Sequence, residues 1–123
     1  MFTRIVTFTG ASDIDAGVRY LQDTAAPLLH GQNGFRGVTA SADRSGAVLS
    51  VLSLWATEAD RDASESSVIK ARDEGQRVTG GDFAVERFEE LLLEVRAPRQ
   101  RAAQRGVTFG EENKREIVFL DLP

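Results

Sequence analysis

The chain has 123 residues, the length of one domain and too short for a second core of ordinary size. Its 41% apolar and 28% charged residues are ordinary globular values, and a net charge of −4 gives no reason to expect nucleic acid. The absence of cysteine excludes disulfides and thiolate chemistry, and a single His excludes His-rich metal ligation.

The first element is residues 2–9, FTRIVTFT, a β-branched and aromatic run that predicts a strand ended by Gly10. Ser12 with Asp15 reads as a capping pair for a following helix. Ile14, Val18, Leu21, Ala25, Leu28 and Leu29 then fall on one helical stripe, and Tyr20 lies off it. Pro27 should kink the last turn, with Gly31 and Gly34 supplying the stop. Residues 35–42 predict a second strand and residues 47–55, AVLSVLSLW, a third. The Asp43-Arg44-Ser45-Gly46 turn joins them as an antiparallel hairpin.

A second helical region is expected over 57–78, with a thin stripe and a break near Ser64–Ser67. Thr79-Gly80-Gly81-Asp82 is a turn cluster, and residues 83–95 are read as the fourth strand. The order strand, helix, strand, strand, helix, strand is the split-βαβ, ferredoxin-like arrangement: an α+β fold with a four-stranded antiparallel sheet and helices on one face. The expected division is a domain over 1–95 and, over 96–123, a basic linker with a C-terminal strand at 116–122.

Residues 96–115 carry a local charge of +4, leaving −8 for the rest of the chain. Phe109 is the one aromatic residue in this stretch, so base stacking has little to work with. A solvated linker or pairing with an acidic surface fits it better, and a salt-sensitive protein partner is a further reading. No run approaches the roughly 20 apolar residues of a membrane span, and the N-terminal residues do not pattern as a signal peptide. A soluble cytoplasmic protein without nucleic-acid or membrane partners is expected.

The third strand has apolar residues on both faces: Leu49, Val51 and Trp55 on one, Val48, Leu52 and Leu54 on the other. Leu91–Leu93 extend the same two-sided pattern to the fourth strand. A sheet with one wet face would alternate apolar with polar residues. A homodimer that covers the second face is therefore expected.

Gly34-Phe35-Arg36-Gly37 at the end of the first helix, and Trp55-Ala56-Thr57-Glu58-Ala59-Asp60 after the third strand, resemble the antibiotic-biosynthesis-monooxygenase-like domains of the dimeric α+β barrel superfamily. The resemblance covers about residues 2–95. It implies back-to-back sheets in a homodimer and a pocket between sheet and helices in each subunit. Some members oxidise polycyclic aromatic phenols without a cofactor; others cleave haem. The haem-cleaving pattern of a first-strand Asn, with Trp and His in the second helical region, is absent here.

Trp55, Phe35, Arg36 and Leu21 are the candidates for the pocket lining. His30, the only histidine, is the candidate proton acceptor. It also ends a helix, where an imidazolium suits the dipole. No cofactor or metal site is expected. The function expected is a homodimeric monooxygenase-like protein that binds a small apolar or aromatic molecule, with cofactor-independent oxygenation as its chemistry. The alternative is a non-catalytic ligand-binding or dimer-scaffold protein of the same fold.

Overall fold

A computed structural model describes residues 1–94 and Arg96, together with the backbone of Val107–Phe109 and Val118–Leu120. Strands β1 (Phe2–Thr9), β2 (Phe35–Asp43), β3 (Val48–Trp55) and β4 (Asp82–Glu89) form one antiparallel sheet in the order β2-β3-β1-β4. That order, with helical segments between β1 and β2 and between β3 and β4, is the ferredoxin-like topology expected from the element sequence.

The first helical segment runs α1 (Ile14–Tyr20), a π-helical turn (Leu21–Ala25) and α2 (Ala26–His30). Asp13, not Ser12, caps α1 by accepting a hydrogen bond from the Ala16 N–H at 3.0 Å. Ser12 is diverted: its hydroxyl donates to the Thr79 carbonyl at 3.3 Å and ties this helix start to the end of the second helical region. Pro27 is accommodated without a broken chain of helix. In a regular α-helix its ring would meet the Asp23 carbonyl and leave it without a donor. The turn upstream widens instead, and the Ala26 N–H reaches back to the Leu21 carbonyl.

The hairpin from β2 to β3 closes through residues 44–47, and Ala47, not Gly46, takes the left-handed conformation at φ 57°. The second helical region divides, as its thin stripe suggested, into α3 (Glu58–Ala63) and α4 (Glu65–Thr79). Thr57 caps α3 through the Asp60 N–H. At the break, the buried Ser64 hydroxyl donates to the Arg61 carbonyl at 2.7 Å and competes with continued helix. Gly80, at φ 79°, ends α4 in the left-handed region.

Strand β4 stops at Glu89, six residues short of the expected 95. Leu91, Leu92 and Leu93 lie beyond it, at 87%, 74% and 38% exposure, so they do not contribute two apolar faces to the sheet. β5 (Val107–Phe109) falls inside the stretch read as linker and pairs antiparallel with β6 (Val118–Leu120), the core of the expected 116–122 strand. Most of the basic segment 96–115 lies outside the described residues.

The register sets two faces. Phe8 opposite Leu49 and Val6 opposite Val51 face the helices. With Ala11 and Ile14, Phe8 and Leu49 form one buried cluster; Leu29, Trp55 and Val68 form the second. On the other face Ile5 sits opposite Leu52 and Thr9 opposite Val48. Among the described residues, no helix is long and apolar enough to cross a membrane.

Candidate functional site

Between the helix-facing side of the sheet and the helices lies a cavity of about 90 Å³. The sheet contributes Val6, Phe8, Leu49 and Val51, and α4 contributes Val68 and Ala71. Leu21, Ala25, Leu28 and Leu29 enclose it from the helix side. The wall is largely apolar, as small-molecule sites are. Its polar members are Arg4, Arg72, Ser53, Thr79 and Tyr20.

Arg4 reaches this wall because it shares the strand phase of Val6 and Phe8. Its side chain is 3% exposed. One terminal nitrogen, Nη2, donates to the Arg61 carbonyl and to Ser64 Oγ at 2.9 Å, and the guanidinium carbon stands 5.5 Å from the centre of the Trp55 ring. Arg87 is its cross-strand partner on β4, so two like charges face each other directly. Glu65, in the first turn of α4, sits between them. Its Oε2 lies 3.1 Å from Arg4 Nη2 and 3.2 Å from Arg87 Nη2, within ion-pair reach but without a well-aligned hydrogen bond. Its Oε1 is 2.7 Å from Arg72 Nη1.

Three guanidinium groups thus share one carboxylate. Hydrogen bonding from Arg72, opposed by burial and helped by the charges of Arg72 and Arg4, holds the Glu65 carboxyl down at about 2. Burial lowers the Arg4 pKa; Glu65 opposes this, and the neighbouring arginines reinforce it. Arg61, also buried, is balanced separately by Asp62 at 3.0 Å and Glu58 at 3.8 Å. Tyr20, which borders the cavity, has its phenol pKa raised by burial and then by the charge of Glu74.

Of the residues singled out in the sequence, Leu21 borders the cavity. Trp55 is completely buried beside it. Its indole N–H donates to Ser53 Oγ at 2.9 Å, and its ring meets Phe35 edge-on at 5.5 Å between centroids. Phe35 continues to His30 at 5.0 Å, in the same edge-on manner. These three rings form a row that runs outward from the core to an exposed His30 at the end of α2, away from the cavity wall. Arg36 is exposed at the irregular pairing between Phe35 and Gly37.

Arg4, Arg72 and Glu65 were not singled out. A signal for two of them was present: Arg4 lies on the apolar phase of β1, and Arg72 follows Val68 by one helical turn on the stripe of α4. Among the described residues, no group of three or more His, Asp or Glu could hold a metal ion.

No family model matches the chain. Two uncharacterised proteins of Mycobacterium tuberculosis, MT2634 and Rv2557, are each 32% identical to it over 90 residues, or 72% of the chain. The chain spans only 40% of the length of these curated relatives. A Streptomyces coelicolor monooxygenase from the gene ActVA-Orf6, solved in complex with nanaomycin D, is similar in structure at TM-score 0.60 and 14% identity, over 76% of this chain and 92% of that one. A Nitrosomonas europaea protein of unknown function matches at TM-score 0.55 and 19% identity, over 79% and 95%. A Caulobacter crescentus protein described as a putative antibiotic biosynthesis monooxygenase matches at TM-score 0.57 and 14% identity, over 74% and 91%. These likenesses establish the fold: this chain has the architecture of the antibiotic-biosynthesis-monooxygenase-like domains.

Proposed function

We propose that the chain is a monooxygenase-like, homodimeric protein whose helix–sheet cavity binds a small apolar or aromatic molecule. The observation that carries this reading is the cavity itself. It has apolar walls from both layers of the fold and polar groups gathered at one part of its lining. The Streptomyces protein of the same fold was solved with an organic ligand, nanaomycin D, which supports the reading. Titrating the protein with a panel of small aromatic and aliphatic compounds, read by heat or by thermal stabilisation, tests it. Saturable binding that is blocked by Val51→Trp, which fills the cavity, is expected; no binding by any compound overturns it.

The catalytic form of this reading is oxygenation without a cofactor. The bound molecule would reduce dioxygen, and the cavity would supply desolvation and orientation. Its test is oxygen consumption with any compound found to bind. His30 is the proposed proton acceptor, although it stands outside the lining. Unchanged turnover in His30→Ala would remove that role.

Dimerisation is supported by the second sheet face, where Ile5 and Leu52 lie opposite each other and Phe88 is 48% exposed. Light scattering should give a mass of two chains at micromolar concentration, falling to one in Ile5→Lys. A wild-type monomer would overturn the sheet-to-sheet arrangement.

A further inference from the structure

We infer that the ligand of this cavity is a carboxylic acid, bound through the side edge of the Arg72 guanidinium with its apolar body against the β1–β3 wall. The inference rests on the proposed binding role of the cavity and adds the chemistry of the ligand's polar end.

Arg72 borders the cavity, and its side chain is 8% exposed. It spends one terminal nitrogen, Nη1, on Glu65. Nε and Nη2 are buried and find no acceptor among the described residues. Those two nitrogens are the parallel pair along one edge of the guanidinium, the fork that matches the two oxygens of a carboxylate. Arg4 Nε, on the facing wall, is likewise buried without an acceptor among the described residues. Buried donors are nearly always satisfied, and leaving them unsatisfied costs stability.

Charge points the same way. Arg4, Arg72 and Arg87 are met by Glu65 alone, so the cluster holds an excess of two positive charges. Such a cluster buried for stability alone would be a poor arrangement, since apolar residues of the same volume serve as well or better. A monoanion arriving through the cavity offsets part of the excess and satisfies the fork at once. The rest of the lining is Val6, Phe8, Leu49 and Val51, which offers a bare inorganic anion nothing. The ligand therefore carries an apolar body behind its carboxylate.

The experiment titrates the intact protein with benzoate, phenylacetate and hexanoate, and in parallel with the uncharged primary amide of each. At least one acid should bind about tenfold or more tightly than its amide, as the gain from a charge-assisted bidentate contact allows. In Arg72→Gln that preference should fall to within about threefold, with amide affinity retained. Arg72→Lys keeps the charge but loses the fork, and should also lose most of the preference. Equal binding of acids and amides by the wild type overturns the inference and leaves the cavity-binding reading intact. This arm stands even if the variants fold poorly. Binding of neither series overturns both. A preference for acids that survives Arg72→Gln also overturns the inference.

Discussion

Glu65→Gln is the perturbation that asks most of this structure. It removes the one negative charge shared by Arg4, Arg72 and Arg87 at 3.1, 2.7 and 3.2 Å, and changes the shape of the side chain very little. A carboxyl held at about 2 instead of 4.5 sets a ceiling of about 3 kcal/mol on its contribution at neutral pH. Glu65 remains 30% exposed, so solvent screening discounts this to about 2 kcal/mol.

The sign follows from a depressed pKa. The stabilisation is complete above pH 4.5 and is lost as pH falls toward 2, where the native carboxylate takes up its proton. Urea denaturation suits the measurement because Trp55, the only tryptophan, is fully buried and its emission tracks unfolding. At pH 7 the variant should unfold at a urea concentration lower by about 1–2 M, with an unchanged slope. The gap to the wild type should narrow steadily between pH 4.5 and pH 2.5. A gap below about 0.5 kcal/mol at pH 7, or one that does not change with pH, would refute the account of the cluster.

The other expectations are simpler to state. Trp55→Ala should destabilise by about 3–5 kcal/mol in thermal or urea melts, because it empties the centre of the Leu29–Val68 cluster and strips Ser53 of its indole donor. Gly17→Ala should cost about 1–3 kcal/mol through overpacking, since the new Cβ would come within 2.6 Å of Thr79 Cγ2 and 2.9 Å of Leu49 Cδ2. A neutral effect there would mean that α1 and α4 pack less tightly than the structure shows.

How far the fold could be read from the chain depended on whether its signals were local. The strands β1 to β3 announce themselves through β-branched runs, and their order with the helices leaves few topologies. The end of β4 was misread because Leu91–Leu93 continue an apolar run past the point where the ladder stops at Glu89. Apolar composition does not encode where a neighbouring strand ends. The cap was misplaced for a related reason: Ser12 has the right chemistry, but a tertiary partner, the Thr79 carbonyl, takes its hydroxyl.

The charged cluster was harder still. Arg4, Glu65, Arg72 and Arg87 come from β1, α4 and β4, and each looks like an ordinary surface residue in its own segment. Only their phase, inward on strand and helix, marks them. Their shared burial exists once the layers close. The aromatic residues drew attention instead, and the fold spends those on a row from Trp55 to His30.

The widened turn at Leu21–Ala25 also bears on how this wall could diverge among related proteins. It holds one residue more per turn than the helix on either side. Deleting a single residue there would let regular helix run through and swing everything after it by about 100° around the axis. Leu28 and Leu29, which now close the cavity, would rotate away from it, and the geometry that accommodates Pro27 would be gone. The shape of the cavity is thus written partly in a count of residues, and a one-codon insertion or deletion could reshape it more than most substitutions of its lining.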